Sequence, residues 1–288
     1  MTPADERRST HRRTHRLAWI TAALLSAVLV VAPATWQAWS WGNTRSGTLR
    51  GASDGRPVTA LEIVGGDADI TVTPRADHEV GYQAAVSWSL KPPTIEQSRL
   101  GDTLRLTPRC AGEGFWPAAG VGCSVRLAVT VPVDIPVKVT TRSGRIALSG
   151  LGGDVDTEAD SGSVDIEGLR GALRAKVGSG QLHATGLASD RAEIRVGSGR
   201  AVAAFVTPPD EVTARVGSGR LALTVPPATR FKVRCAAGSG RCEVPDALRD
   251  PGSPHSLDLE AGTGRAQAAY PDGPWAAGGS GGREPRTG

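Results

Sequence analysis

The chain has 288 residues, with 33 Lys and Arg against 29 Asp and Glu, 39% hydrophobic residues and only 4% aromatic ones. Glycine, at 37 residues, is nearly double the ~7% of ordinary proteins. Glycine and proline together still fall short of the ~25–30% that marks low-complexity disorder, so a core of Val, Leu, Ile and Ala is expected and a disordered chain is excluded.

The N-terminus holds most of the excess charge. Arg7, Arg8, Arg12, Arg13 and Arg16 face only Asp5 and Glu6 there, and Leu17 to Ala34 carries no charge. An apolar run of about 18 residues is near the lower limit for crossing a bilayer, and Trp36, Trp39 and Trp41 suit the far interface. The expectation is a cytoplasmic tail (1–16), a single transmembrane anchor (17–41) and a linker (42–59), with everything beyond lying outside the cytoplasm. The alternative is a secretory signal cleaved near Ala34, because Ala32-Pro33-Ala34 resembles an A-x-A site. The exported part is close to neutral, so charge gives no reason to expect nucleic acid.

Residues 60–138 read as irregular first turns of a β structure. Leu61-Glu62-Ile63-Val64, Ala68 to Val72, Leu104-Arg105-Leu106 and Ser124 to Val131 alternate or nearly so, as half-buried strands do. Cys110 and Cys123 flank a Gly-rich excursion with Phe115-Trp116 at its tip. Further on, Cys235 and Cys242 flank AAGSGR. Two close pairs in an exported chain suggest disulfides 110–123 and 235–242, among three possible connectivities. Zinc would require other spacings and nearby histidines.

From residue 139 to 270 the sequence repeats. A small residue followed by glycine recurs at Gly144, Gly162, Gly180, Gly199, Gly219, Gly240 and Gly264, with steps of 18, 18, 19, 20, 21 and 24 residues. With each of these glycines numbered zero, positions −7, −5, +2 and +4 are apolar, with Thr157 at −5 the one polar residue. The positions between them are polar. Side chains alternate faces along a strand, so each repeat is a turn of chain with its apolar side inward, and stacked turns bury a continuous thin core. The expected fold is all-β: a single-stranded β-solenoid of about 18–21 residues per regular turn, preceded by one transmembrane helix and followed by a disordered tail (271–288). The corner glycines are expected to hold backbone with φ > 0.

This corner-and-strand pattern, exemplified by Ser161-Gly162-Ser163-Val164-Asp165-Ile166 and preceded by Val131-Pro132, resembles the bacterial putative-adhesin family of unknown function over about residues 60–269. The resemblance implies a membrane-anchored or secreted β-solenoid without catalytic residues. The chain departs from the commoner pattern in placing Arg, rather than Asp, after most corners.

Equivalent positions of successive turns lie one strand spacing apart, so charge columns can be read directly. Position −6 runs Lys138, Asp156, Arg174, Glu193, Thr213, Arg234, Asp258, an alternation that suits cross-strand pairing. Position +1 runs Arg145, Ser163, Gln181, Arg200, Arg220, Arg241, Arg265. Four successive arginines repel one another unless acids from neighbouring columns or an anion intervene, which marks Arg200, Arg220, Arg241 and Arg265 as candidate anion-binding residues. Wall teichoic acid, acidic polysaccharide and lipid headgroups all have suitable charge; the opposing reading is solvated guanidiniums at an exposed corner, screened by salt.

Asp156, Glu158 and Asp160 share one outward face, as do Asp165 and Glu167. Lys138, Arg174 and Lys176 lie beside the first set, which suits salt bridges better than the raised pKa of a general acid. The five histidines are scattered and make no metal spacing, and the Gly-Ser-Gly corners lack the following Lys of a phosphate loop. No catalytic residue, cofactor or metal is expected. The expected function is a non-catalytic extracytoplasmic scaffold or adhesin-like binding module contacting cell-wall polysaccharide or another surface protein. The alternatives are an envelope-sensing membrane protein and a polysaccharide-cleaving β-helix enzyme.

Overall fold

The computed structural model describes residues 45–53, 57–89, 91–110 and 123–271, together with Ser26. The expected anchor, Phe115-Trp116 and the tail beyond Pro271 lie outside the described residues. Within them no helix is long and apolar enough to cross a membrane.

The fold is all-β. In chain order the strands are β1 (Arg45–Ala52), β2 (Ala60–Val64), β3 (Asp69–Arg75), β4 (Gly81–Trp88), β5 (Thr94–Leu100), β6 (Thr103–Arg109), β7 (Ser124–Pro132), β8 (Val137–Thr141) and β9 (Arg145–Ser149). The long strands β10 (Val155–Glu167), β11 (Leu173–Leu187), β12 (Arg191–Phe205) and β13 (Glu211–Thr224) follow. The chain ends with β14 (Lys232–Ala237), β15 (Arg241–Glu243), β16 (Ser256–Ala261) and β17 (Arg265–Ala269), with one 3-10 turn at Asp246–Leu248. β1 occupies part of the stretch expected as a linker and pairs antiparallel with β4.

Each long strand is two arms meeting at a glycine corner. Parallel ladders join β10 to β11, β11 to β12 and β12 to β13, and the corners stand opposite one another: Gly162 faces Gly180, Gly180 faces Gly199, and Gly199 faces Gly219. The backbone at these corners has φ of +125°, +144°, +133° and +136°, a region that residues with a Cβ reach only at a cost. Gly144 shares it, whereas Gly240 and Gly264, in the last two laps, do not, which corrects the expectation there. Bending there turns the alternate side chains of both arms inward. On β11 this buries Leu173, Ala175, Leu182 and Ala184, the residues that the period-2 columns assign to the core, together with Val177 at −3. Parallel pairing of laps offset by about one repeat is also why the columns align without slippage, since a slip of one residue would expose every apolar side chain.

Thr157 is fully buried, and its hydroxyl has no hydrogen-bond partner among the described residues. Its ladder neighbours are Val139 and Ala175. A buried hydroxyl without a partner forfeits its hydration, so Thr157→Val should raise unfolding stability by about 1 kcal/mol. A denaturant titration that shows equal or lower stability would exclude this account.

A second glycine column closes the other side of the lap. Gly150, Gly168 and Gly186 have φ of +66°, +67° and +64°. Each is followed by a buried leucine, Leu151, Leu169 or Leu187. The signal was present in the sequence as Gly-Leu at position +6/+7, but the period-2 columns do not include it.

The laps do not stack throughout in chain order. From the lap formed by β8 and β9 to β13, each lies on its predecessor. At the N-terminal end, β2 sits between β6 and β8, and β3 sits between β7 and β9, so the later lap of β6 and β7 lies outside the earlier one. At the C-terminal end, β13 pairs with β16 and β17, and the lap of β14 and β15 lies outside them. The expectation that every lap rests on the one before it is therefore corrected at both ends. The physical reason is that the laps are near-equivalent in pattern, so the connecting segments can carry the chain past one position and back.

Both expected disulfides are present, Cys110–Cys123 and Cys235–Cys242. They close the corners of the two laps that end the parallel stack, β6/β7 and β14/β15. A terminal lap has a parallel neighbour on one side only, and a covalent bridge across its corner supplies constraint that stacking does not. Replacing both Cys235 and Cys242 by serine should cost roughly 2–3 kcal/mol. Amide exchange should rise in β14 and β15 while β11 and β12 stay protected; uniform loss of protection would contradict a local brace.

Candidate functional site

The outward position just after the corner, +1, gathers one side chain from every lap. In spatial order it runs Arg126, Asp69, Arg145, Ser163, Gln181, Arg200, Arg220, Arg265, Arg241. All four predicted arginines are thus neighbours, although Arg265 lies between Arg220 and Arg241 rather than after them. Each step is one strand spacing, about 4.7–4.9 Å.

The two ends of this column differ in charge balance. At one end Asp69 separates Arg126 from Arg145 and accepts the Arg145 backbone N–H at 3.0 Å. Arg145 Nε also lies 3.7 Å from the Asp165 carboxylate. At the other end Arg200, Arg220 and Arg241 are exposed and have no ion pair among the described residues. Arg265 has one distant acid, Glu243, at 3.9 Å. Among the described residues the outward +3 position beside these arginines holds Val202, Ala222 and Gln267, with Glu243 its only acid. The corner is therefore a strip of largely uncompensated positive charge.

A shallow groove of about 900 Å3 runs along this strip, lined by the four arginines and Gln181 over a floor of corner glycines. Hydroxyls at position −1 form its second wall: Ser218 and Ser239 with Thr263. The Ser218 and Thr263 hydroxyl oxygens are 2.8 Å apart. The glycines matter to the site because a Cβ at Gly199 or Gly219 would collide with the backbone carbonyl of the neighbouring corner, so no side chain can stand there.

Position −6 shows what a self-neutralising column looks like in the same fold. Its spatial order is Arg105, Glu62, Lys138, Asp156, Arg174, Glu193, Thr213, Asp258, Arg234. Signs alternate except at Thr213. Arg105 donates from Nε and Nη2 to the two Glu62 oxygens at 3.0 Å each, which holds its guanidinium proton above the ordinary arginine range. Arg174 Nε lies 3.1 Å from Glu193. A second groove of about 880 Å3 follows this column and is lined by both signs of charge. Its formal charges nearly cancel.

The carboxylate cluster read from the sequence is likewise held by bases. Glu158 accepts a hydrogen bond from Lys176, which raises the ammonium pKa. Asp156 faces Lys138 on one side and Arg174 on the other in the ladders. Among the described residues no three His, Cys, Asp or Glu side chains are grouped to hold a metal ion.

No protein-family model and no curated protein matches the sequence. Solved structures similar to it include a putative cell adhesion protein from Clostridium sporogenes, at 11% identity and a TM-score of 0.34, covering 79% of this chain and 99% of that one. A putative adhesin from Bacteroides fragilis is 15% identical with a TM-score of 0.33, covering 77% and 97%. A putative lipid binding protein from Parabacteroides distasonis is 12% identical with a TM-score of 0.34, again covering 79% and 97%.

Proposed function

We propose that this chain is a β-solenoid that serves as a non-catalytic binding module outside the cytoplasm, anchored by its N-terminal apolar segment, and that its arginine-lined corner takes an anionic polymer. The observation that carries this reading is the contrast between two columns of one fold. Position −6 interleaves its charges, whereas Arg200, Arg220, Arg265 and Arg241 stand in consecutive laps with a single distant acid. Like charges one strand spacing apart oppose folding, so a polyanion that neutralises them binds with a favourable electrostatic term. Two disulfides accord with an oxidising compartment.

The test is binding of the full chain to polygalacturonate, dextran sulfate and polyphosphate across a range of salt. The variant carrying Arg200→Ser, Arg220→Ser, Arg265→Ser and Arg241→Ser should lose most affinity. Its slope of log affinity against log salt should fall by about three to four. Absence of binding to all three polymers at low salt, or equal binding by the variant, would overturn the proposal.

A further inference from the structure

The geometry points to a polymer of uronic acids as the ligand of this corner, lying along the stacking axis with one sugar to each lap; this inference rests on the anionic-polymer reading above. Four observations carry it. The first is pitch. Arg200 stands opposite Arg220, Arg220 opposite Arg265, and Arg265 opposite Arg241, without a register shift. The guanidinium stems therefore leave the backbone at a repeat of about 4.8 Å. A 1,4-linked pyranose advances its chain by a length near one strand spacing, and a uronan carries one carboxylate on each ring. A polyol phosphate places six covalent bonds between successive phosphorus atoms, so its charges fall out of step with the laps.

The second observation is the chemistry of the donors. Arginine presents a planar fork that takes both oxygens of a carboxylate. Three of the four forks have no intramolecular partner among the described residues, so each is free to reach a carboxylate on either edge of a sugar ribbon. Third, each of these laps places a hydroxyl two residues before its arginine: Ser198, Ser218, Thr263 and Ser239, all exposed. A sugar seated on one lap meets one guanidinium for its carboxylate and one hydroxyl for its ring hydroxyls. Fourth, among the described residues no aromatic side chain lines the groove, which leaves a single-stranded nucleic acid without the stacking platform that such ligands use.

The strip also has defined ends. Gln181 replaces arginine on one side, and on the other Arg241 belongs to the last lap of the parallel stack, whose β15 pairs, among the described residues, with β17. The strip offers four subsites.

Calorimetry of the full chain with galacturonate oligomers of two to eight sugars tests this. Affinity should climb with each sugar up to four and then level off. A glycerol phosphate oligomer of equal charge should bind at least roughly tenfold more weakly at the same salt. The Arg220→Lys variant keeps the charge but loses the fork, and should weaken binding of the four-sugar oligomer by roughly tenfold. If phosphate and uronate oligomers of equal charge bind alike, or affinity climbs evenly to eight sugars, the uronan assignment falls and the general anionic-polymer reading stands. If neither class binds, both fall.

Discussion

Replacing Phe231 by alanine should lower the unfolding free energy by about 3–5 kcal/mol, the largest loss expected from any single truncation in this chain. Among the described residues Phe231 is the largest fully buried side chain, in a core that apart from it and Phe205 is built of Leu, Ile, Val and Ala. It immediately precedes β14, in the outermost lap, where a side chain would ordinarily face water. The excursion between β15 and β16 covers it instead: the Phe231 N–H donates to the Leu248 carbonyl at 2.8 Å, and the Asp250 N–H donates to the Phe231 carbonyl at 2.9 Å. The ring also lies 5.9 Å, between centroids, from the His255 imidazole. Tyr270 ties the same cap together, its hydroxyl donating to the Thr229 carbonyl at 2.8 Å. Removing the ring leaves a cavity that two backbone tethers prevent from collapsing. Phe231→Leu, which retains most of the volume, should cost about 1–1.5 kcal/mol. Denaturant titrations of both variants, with amide exchange on β14 and β15, check the prediction. A loss below about 1 kcal/mol for the alanine variant would show that the cap does not depend on the ring.

Gly199→Ala should cost about 3 kcal/mol or more and lower the melting temperature by about 6–12 °C. Two independent requirements meet at this residue. Its φ is +133°, and a Cβ built on it would lie 1.9 Å from the carbonyl oxygen of Gly180 on the next lap. That obstacle is backbone inside a parallel ladder, so it cannot rotate away as a side chain would. Relief would require parting β11 from β12, and stability in a stacked array resides in such nearest-neighbour interfaces. Damage in the middle of the stack should therefore be felt on both sides, in contrast to loss of the Cys235–Cys242 bridge at its end. Ser198→Ala, at the exposed neighbouring position, should stay within about 0.5 kcal/mol of the parent. Comparable thermal melts for Gly199→Ala and Ser198→Ala would refute the steric argument. Because Arg200 follows Gly199 directly, the glycine variant should also weaken polyanion binding if the corner is the site.

Much of the candidate site was legible before any coordinates. Gly199, Arg200, Gly219 and Arg220 occupy equivalent positions of successive repeats, so their adjacency follows from period alone. The alternation at −6 announced its own neutrality in the same way. What could not be read was that Asp69 belongs to the +1 column. Its lap carries Ala68 rather than a Ser-Gly corner, and the structure places that lap between two others. The Phe231 cap was equally hidden, because the segment that buries it, around the 3-10 turn at Asp246–Leu248, lies outside the repeat and has no periodic signal.

The amino-acid sequence by itself determined the lap: alternation selects strand, two inward arms need a bend between them, and glycine supplies it. Register then follows, since a displaced lap would turn its apolar columns to water. The order in which laps stack was decided only in three dimensions. Every lap presents nearly the same apolar columns to its neighbours, so periodicity makes many orders similarly favourable. The choice among them falls to the non-repeating connections, with the packing they cover at each end of the stack. Those connections place the lap of Arg265 between those of Arg220 and Arg241, and they leave Arg241 at the open end of the strip.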